Sequence, residues 1–254
     1  MAIMLDLTPF EGDLFLDRPL DKIENIQNRA LEKTARLHDE RPVYPKNPYW
    51  ASLPLNVQGV EKEEYTPSGW IKKETAYNPF LMYLSLFDPN VLREVAEHEG
   101  IHAGTPGKML LSHLYYDSRD GRIKFGYIEP DSVPSYKYPV GKAIEEGGVK
   151  VISEKIGGVE QTSYPVTSKM VEEIDRKLTE MDNNYSLVYI QKLASIAEKK
   201  LIQTNYSKFH SNPADLKMSE VPNELMEVLY ILNRPQIIGT IRKFASKIDL
   251  SYIV

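Results

Sequence analysis

The chain has no cysteine. Disulfides and thiolate-held metals are therefore excluded, and any metal must be held by His, Asp or Glu. Long apolar runs are missing too: no stretch reaches the roughly 18 residues of a spanning helix, so no membrane partner is expected. The N-terminus, MAIMLDLTPFEGDLFLD, lacks a basic start and is broken by Asp6, Glu11 and Asp13. It does not read as a secretory signal, and the expected location is cytoplasmic. Basic charge is not in excess either. The formal net charge is -5 and the pI about 5.7, which argues against a general nucleic-acid footprint.

What is present is the composition of a folded protein. Hydrophobic residues make up 42% of 254, and charged residues of both signs 26%. That supports one sizeable core, or a main domain with a smaller appendage. There is no internal repeat and no low-complexity tract.

Along the chain, Leu20, Ile23, Ile26, Ala30, Leu31, Thr34 and Leu37 recur at three- and four-residue steps. This predicts a helix from Asp17 to Asp39. Residues 41–70, rich in proline and aromatics, predict irregular chain with one or two short strands. Thr75 to Phe87, TAYNPFLMYLSLF, is short, aromatic and apolar and reads as a strand. Asp88-Pro89 then opens a helix: Asp is a favoured N-cap and Pro a favoured first residue. Gly104, Thr105, Pro106 and Gly107 stop it after roughly 15 residues. Residues 108–139 read as a short segment, a DSRDGR turn, a strand IKFGYI and a proline-tyrosine loop. Pro139 opens a second helix, closed by Gly157-Gly158. Helices are expected at 168–182, 187–206, 223–232 and 236–248. The fold class is therefore α+β, with an α+β domain over residues 1–165 and a helical part over 166–254.

The first of these stopped helices carries His98, Glu99 and His102 in the pattern H-E-x-x-H. On a helix, i and i+4 project from one face, so two imidazoles there can hold one zinc at about 2.0–2.1 Å. Glu99 points about 100° round the helix. It is placed to act on a water at the metal, as general base for hydrolysis. Val91, Leu92, Val95 and Ala96 supply apolar contacts on the helix's other side. Gly100 costs about 1 kcal/mol relative to Ala within a helix, which suggests that another backbone or a ligand passes close. The alternative is a solvated helix face with two histidines. Glu97 reads as solvated.

A catalytic zinc takes three protein ligands and a water. His113 reads as a surface or core-edge histidine. The stretch AIEEGGVKVISEKIG on the second helix offers a carboxylate. Its apolar face, Ile144, Gly148, Val149, Val151, Ile152 and Ile156, contains Glu145 and has Glu146 at its edge. Bare geometry thus slightly favours Glu145.

With these two motifs in this order, residues 75–157 resemble the gluzincin metallopeptidases. That zincin group carries H-E-x-x-H on one helix and a ligand glutamate on a following one, often opening E-G-x-A. Glu146-Gly147-Gly148-Val149 is similar, with Val in place of Ala, and it follows His102 at a spacing the family allows. Thr105 and Lys108 stand where the metzincins have Gly and His, so that class is rejected. The resemblance implies a zincin-like core, Zn2+ as cofactor, His98, His102 and Glu146 as ligands, and Glu99 as base. It also implies an oxyanion-stabilising residue. Tyr164, Tyr185, Tyr189 and His210 are candidates without a supporting motif. In zincins an edge strand above the metal pairs with extended substrate, and the strand at 77–87 could serve, or could be a core strand.

The expected function is a zinc-dependent metallopeptidase acting on a peptide or protein substrate. The rival is a non-catalytic zincin-like protein whose metal site is vestigial or structural and whose helices bind a partner. Lysine-rich stretches such as AEKKLIQTNYSK read as solvated helix faces.

Overall fold

The computed structural model describes residues 17–53, 57–65, 71–126, 134–211, 216–245 and 247. It mixes helix and sheet, as expected at that level. The residues fall into two compact units. The first comprises the described residues of Met1–Thr66, Trp70–Thr105 and Ile152–Gln161. The second comprises those of Pro106–Val151 and Thr162–Val254.

In the first unit, helix α1 (Asp17–Leu37) is followed by strands β1 (Tyr49–Trp50), β2 (Gly59–Tyr65) and β3 (Ile71–Tyr77). Helices α2 (Phe80–Phe87) and α3 (Pro89–Gly104) complete it, with the last turn of α5 (Val140–Ile156). The strands form one sheet in the order β1-β3-β2, with β3 parallel to β1 and antiparallel to β2. Ile23, Trp50, Tyr77, Leu81, Leu92 and Ala96 form a buried core, with Val91 and Val95 packed against it. The apolar contacts expected from α3 are thus made.

The strand expected over 75–87 is half wrong. The chain is extended only to Tyr77, and Phe80–Phe87 is a helix. Asn78-Pro79 is the switch. Asn78 Oδ1 accepts from Phe80 N–H at 3.0 Å, and Pro79 sits at φ -55 as the helix begins. An eight-residue apolar run fits a strand or a buried helix equally by periodicity. The edge-strand role also fails here, because β3 is the central strand and β2 lies at the edge.

Helix α3 packs against α1 through its small residues. A Cβ on Gly100 would collide with the carbonyl oxygen of Gln27 and lie 2.8 Å from the Ala30 Cβ. One on Gly104 would lie 2.7 Å from the carbonyl oxygen of Leu31. The close backbone suspected at Gly100 is therefore that of α1. Gln27 also ties α1 to β3: its Nε2 donates to Thr75 Oγ1 at 2.6 Å, and Tyr77 OH donates to its Oε1 at 3.1 Å.

The second unit contains α4 (Lys108–Ser112) and a sheet of β4 (Leu114–Asp117), β5 (Arg122–Phe125) and β6 (Lys137–Tyr138) in the order β5-β4-β6. The rest of α5 follows, then α6 (Pro165–Met181), α7 (Leu187–Ser211), α8 (Asn223–Leu232) and α9 (Pro235–Ala245). Helix α8 has the bounds its sequence predicts. Helix α7 runs past the expected end, with non-helical backbone at Asn205. Among the described residues no helix is long and apolar enough to cross a membrane.

Candidate metal centre

Helix α3 begins where its sequence says. Asp88 is the N-cap, its Oδ1 accepts from Asn90 N–H at 2.9 Å, and Pro89 is the first residue. At the far end the Thr105 hydroxyl donates to the Ile101 carbonyl at 2.8 Å. His98 lies about 200° round the helix from Gly100, and His102 likewise from Gly104. Packing the small-residue side on α1 therefore aims both imidazoles the other way.

These histidines are not on a solvated face. His98 and His102 are each 7% exposed and Glu99 5%. The two Nε2 atoms are 3.0 Å apart and the ring centroids 4.7 Å. Two imidazole nitrogens on one tetrahedral zinc would stand about 3.3 Å apart, given metal–nitrogen bonds of about 2.0–2.1 Å. The pair is thus close to the spacing a shared cation requires.

A carboxylate completes the donor set. One ligand atom from each of His98, His102 and Glu146 lies within 4.8 Å of the others. Two nitrogens and a carboxylate oxygen suit a borderline cation such as zinc, whose fourth position would take a water. Glu145 is not in the group; it faces Lys142, with Oε2 3.5 Å from Nζ. Glu145 first, and Glu146 to a smaller degree, raise the Lys142 pKa against the effect of its burial. That lysine, one helical turn earlier on α5, is a partner for Glu145 on the helix's apolar side.

Glu99 is covered by the start of β2. A Cβ on Gly59 would lie 2.9 Å from both Cγ and Oε1 of Glu99. The charge of Glu99 also reaches Tyr77. Burial, then Glu99 and Glu61, push that phenol well above its usual pKa and keep it neutral.

Glu97 corrects its solvated reading. It is 7% exposed and anchors the chain beyond α5. Its Oε1 accepts from the Ser153 hydroxyl at 2.8 Å and from Val159 N–H at 2.6 Å. A Cβ on Gly158 would collide with that same oxygen. Gly157, at φ 65, ends α5; Gly158 has no positive φ to explain it. A second glycine beyond what a helix stop needs was the available signal for this contact.

Gln161 was not singled out by any sequence signal. It is 4% exposed, and its Oε1 lies 3.3 Å from His98 Nδ1. His113 is a core-edge residue, with Nδ1 2.6 Å from the Met109 carbonyl and its ring packed on Phe125 and Phe209. Tyr189 donates to Glu227 at 2.7 Å, which pushes its pKa up to about 12, and it stacks on Tyr185. Tyr164 precedes α6 in a left-handed conformation at φ 52. The side chain of His210 lies outside the described residues.

Family models, curated proteins and solved structures were compared with the chain, and none matches.

Proposed function

We propose that the chain is a zinc-dependent metallopeptidase with a zincin-like core. His98, His102 and Glu146 would hold Zn2+, and Glu99 would be the general base. The observation that carries this reading is the grouping of those three donors on the H-E-x-x-H helix and α5, with both histidines buried. Buried polar groups need partners, and this donor set suits a metal.

Bound zinc supplies Lewis acidity and lowers the pKa of a water toward ≈ 7. Glu99 would accept a proton from the attacking water as the water oxygen adds to the peptide carbonyl carbon, and would return that proton to the amine nitrogen as the C–N bond breaks. Burial of Glu99 beneath Gly59 keeps the carboxylate in a fixed direction. Strand β2, at the sheet edge among the described residues, would offer main-chain groups to an extended peptide.

A structural metal site is the second reading. It draws on the near-complete burial of His98, Glu99 and His102, as closed sites are buried. Glu99→Gln separates the two. The peptidase reading expects one zinc retained and hydrolysis of a peptide library slowed by about 10²–10⁴-fold. A zinc-loaded wild type that cleaves no member of the library decides for the structural site.

A further inference from the structure

We infer that Gln161 is the positioning residue of His98, fixing its tautomer and aim, and that Glu97 holds Gln161 in place. The inference rests on the metal-site reading above and concerns residues that reading does not use.

A neutral imidazole carries one N–H and one lone pair. A carbonyl oxygen facing Nδ1 selects the Nδ1–H tautomer and leaves the Nε2 lone pair bare. Gln161 Oε1 is in that position, 3.3 Å from His98 Nδ1, and His98 Nε2 points to His102 Nε2 at 3.0 Å. The same oxygen thus sets which nitrogen is the ligand and in which direction the ring turns.

The placement of Gln161 costs stability. The residue is 4% exposed, and its amide nitrogen has no partner among the described residues. An unpaired buried amide donor destabilises the folded state. Only its oxygen is used, and it is used on the histidine.

The chain leading to Gln161 is fixed by Glu97. Glu97 takes the Val159 N–H and the Ser153 hydroxyl, and Gly158 allows the close approach. Gln161 is two residues beyond Val159, a reach of at most about 7 Å. Glu97 and His98 are adjacent in sequence. Pinning Val159 on the first therefore delivers Gln161 to the second. The carboxylate holds Ser153 and Val159 and so sets the register of the segment that does the orienting.

The test uses the full chain with zinc alone as probe. Gln161→Met keeps length and removes the acceptor; Gln161→Glu restores one. Gln161→Met is expected to weaken zinc affinity 10–100-fold, the usual cost of losing such an outer partner. Gln161→Glu is expected to return it to within a few-fold of wild type. In the metal-free protein, 15N spectra should show His98 protonated at Nδ1 in wild type and shifted toward Nε2 in Gln161→Met. Equal zinc affinity in wild type and Gln161→Met overturns the inference, as does an Nε2–H His98 in wild type. The spectra also judge it if Gln161→Met does not fold. A wild type that takes up no zinc refutes the metal-site reading instead, and the tautomer result still decides the Gln161 contact.

Discussion

Helices α3 and α6 are nearly equal in length, 16 and 17 residues, and each has a proline in its first turn, yet they bury opposite chemistries. Helix α6 buries Met170, Val171, Ile174 and Leu178 at helical spacing. None of its charged residues is buried, and Arg176 and Glu180, 58% and 59% exposed, pair with each other. Helix α3 buries Glu97, His98, Glu99 and His102 beside Ala96, Gly100 and Gly104. Ionisable side chains go inside only where something answers them. Ser153 and Val159 answer Glu97, and Gln161 faces His98. The metal proposed above would answer the histidine pair.

The contrast can be broken at several strengths. On α6 the apolar seam carries the packing, so Met170→Ala should destabilise the protein by about 2–5 kcal/mol, as large-to-small changes in a core do. Urea denaturation reads this directly. On α3 the close approach depends on absent side chains. Gly100→Ala gains about 1 kcal/mol of helix propensity. It also sets a methyl against the Gln27 carbonyl, an overpacking that costs about 1–3 kcal/mol. A net loss in the denaturation midpoint is expected, and a gain would mean α1 and α3 are farther apart than described.

The smallest effect belongs to Glu173, where α6 meets α9. Hydrogen bonding from Lys243, then Lys177 and Thr240, lowers the Glu173 pKa from 4.5 to about 2 against a smaller opposing effect of burial. A carboxyl depressed in the folded state stabilises above its unfolded pKa, and that contribution is lost as pH falls from about 4.5 through about 2. Glu173→Gln should remove that part of the acid sensitivity and cost about 1 kcal/mol or less at neutral pH. Stability measured from pH 6 to pH 2 checks it.

The sequence made these two helices legible in different ways. The core seam of α6 is readable from its period, although the start at Pro165 came three residues before the expected Ser168. Helix α3 was readable from its ends, because Asp88-Pro89 and Gly104-Thr105 are local chemistry. So was the direction of His98 and His102, which follows from i, i+4 geometry. What surrounds them was not readable. Glu97 looks like any charged helix residue until Val159, 62 positions away, is folded onto it. Gln161 stands 63 positions from His98 and carries no local pattern. Helix α2 was misread because an apolar octet has no period to separate helix from strand. Asn78-Pro79 was the one local sign available.

Zinc content after equilibration and gel filtration tests the central claim most directly. The account predicts about one zinc per chain in wild type, and none in a His98→Ala, His102→Ala variant that keeps its far-UV circular dichroism. A folded wild type without zinc, or a double variant that retains it, would contradict the account.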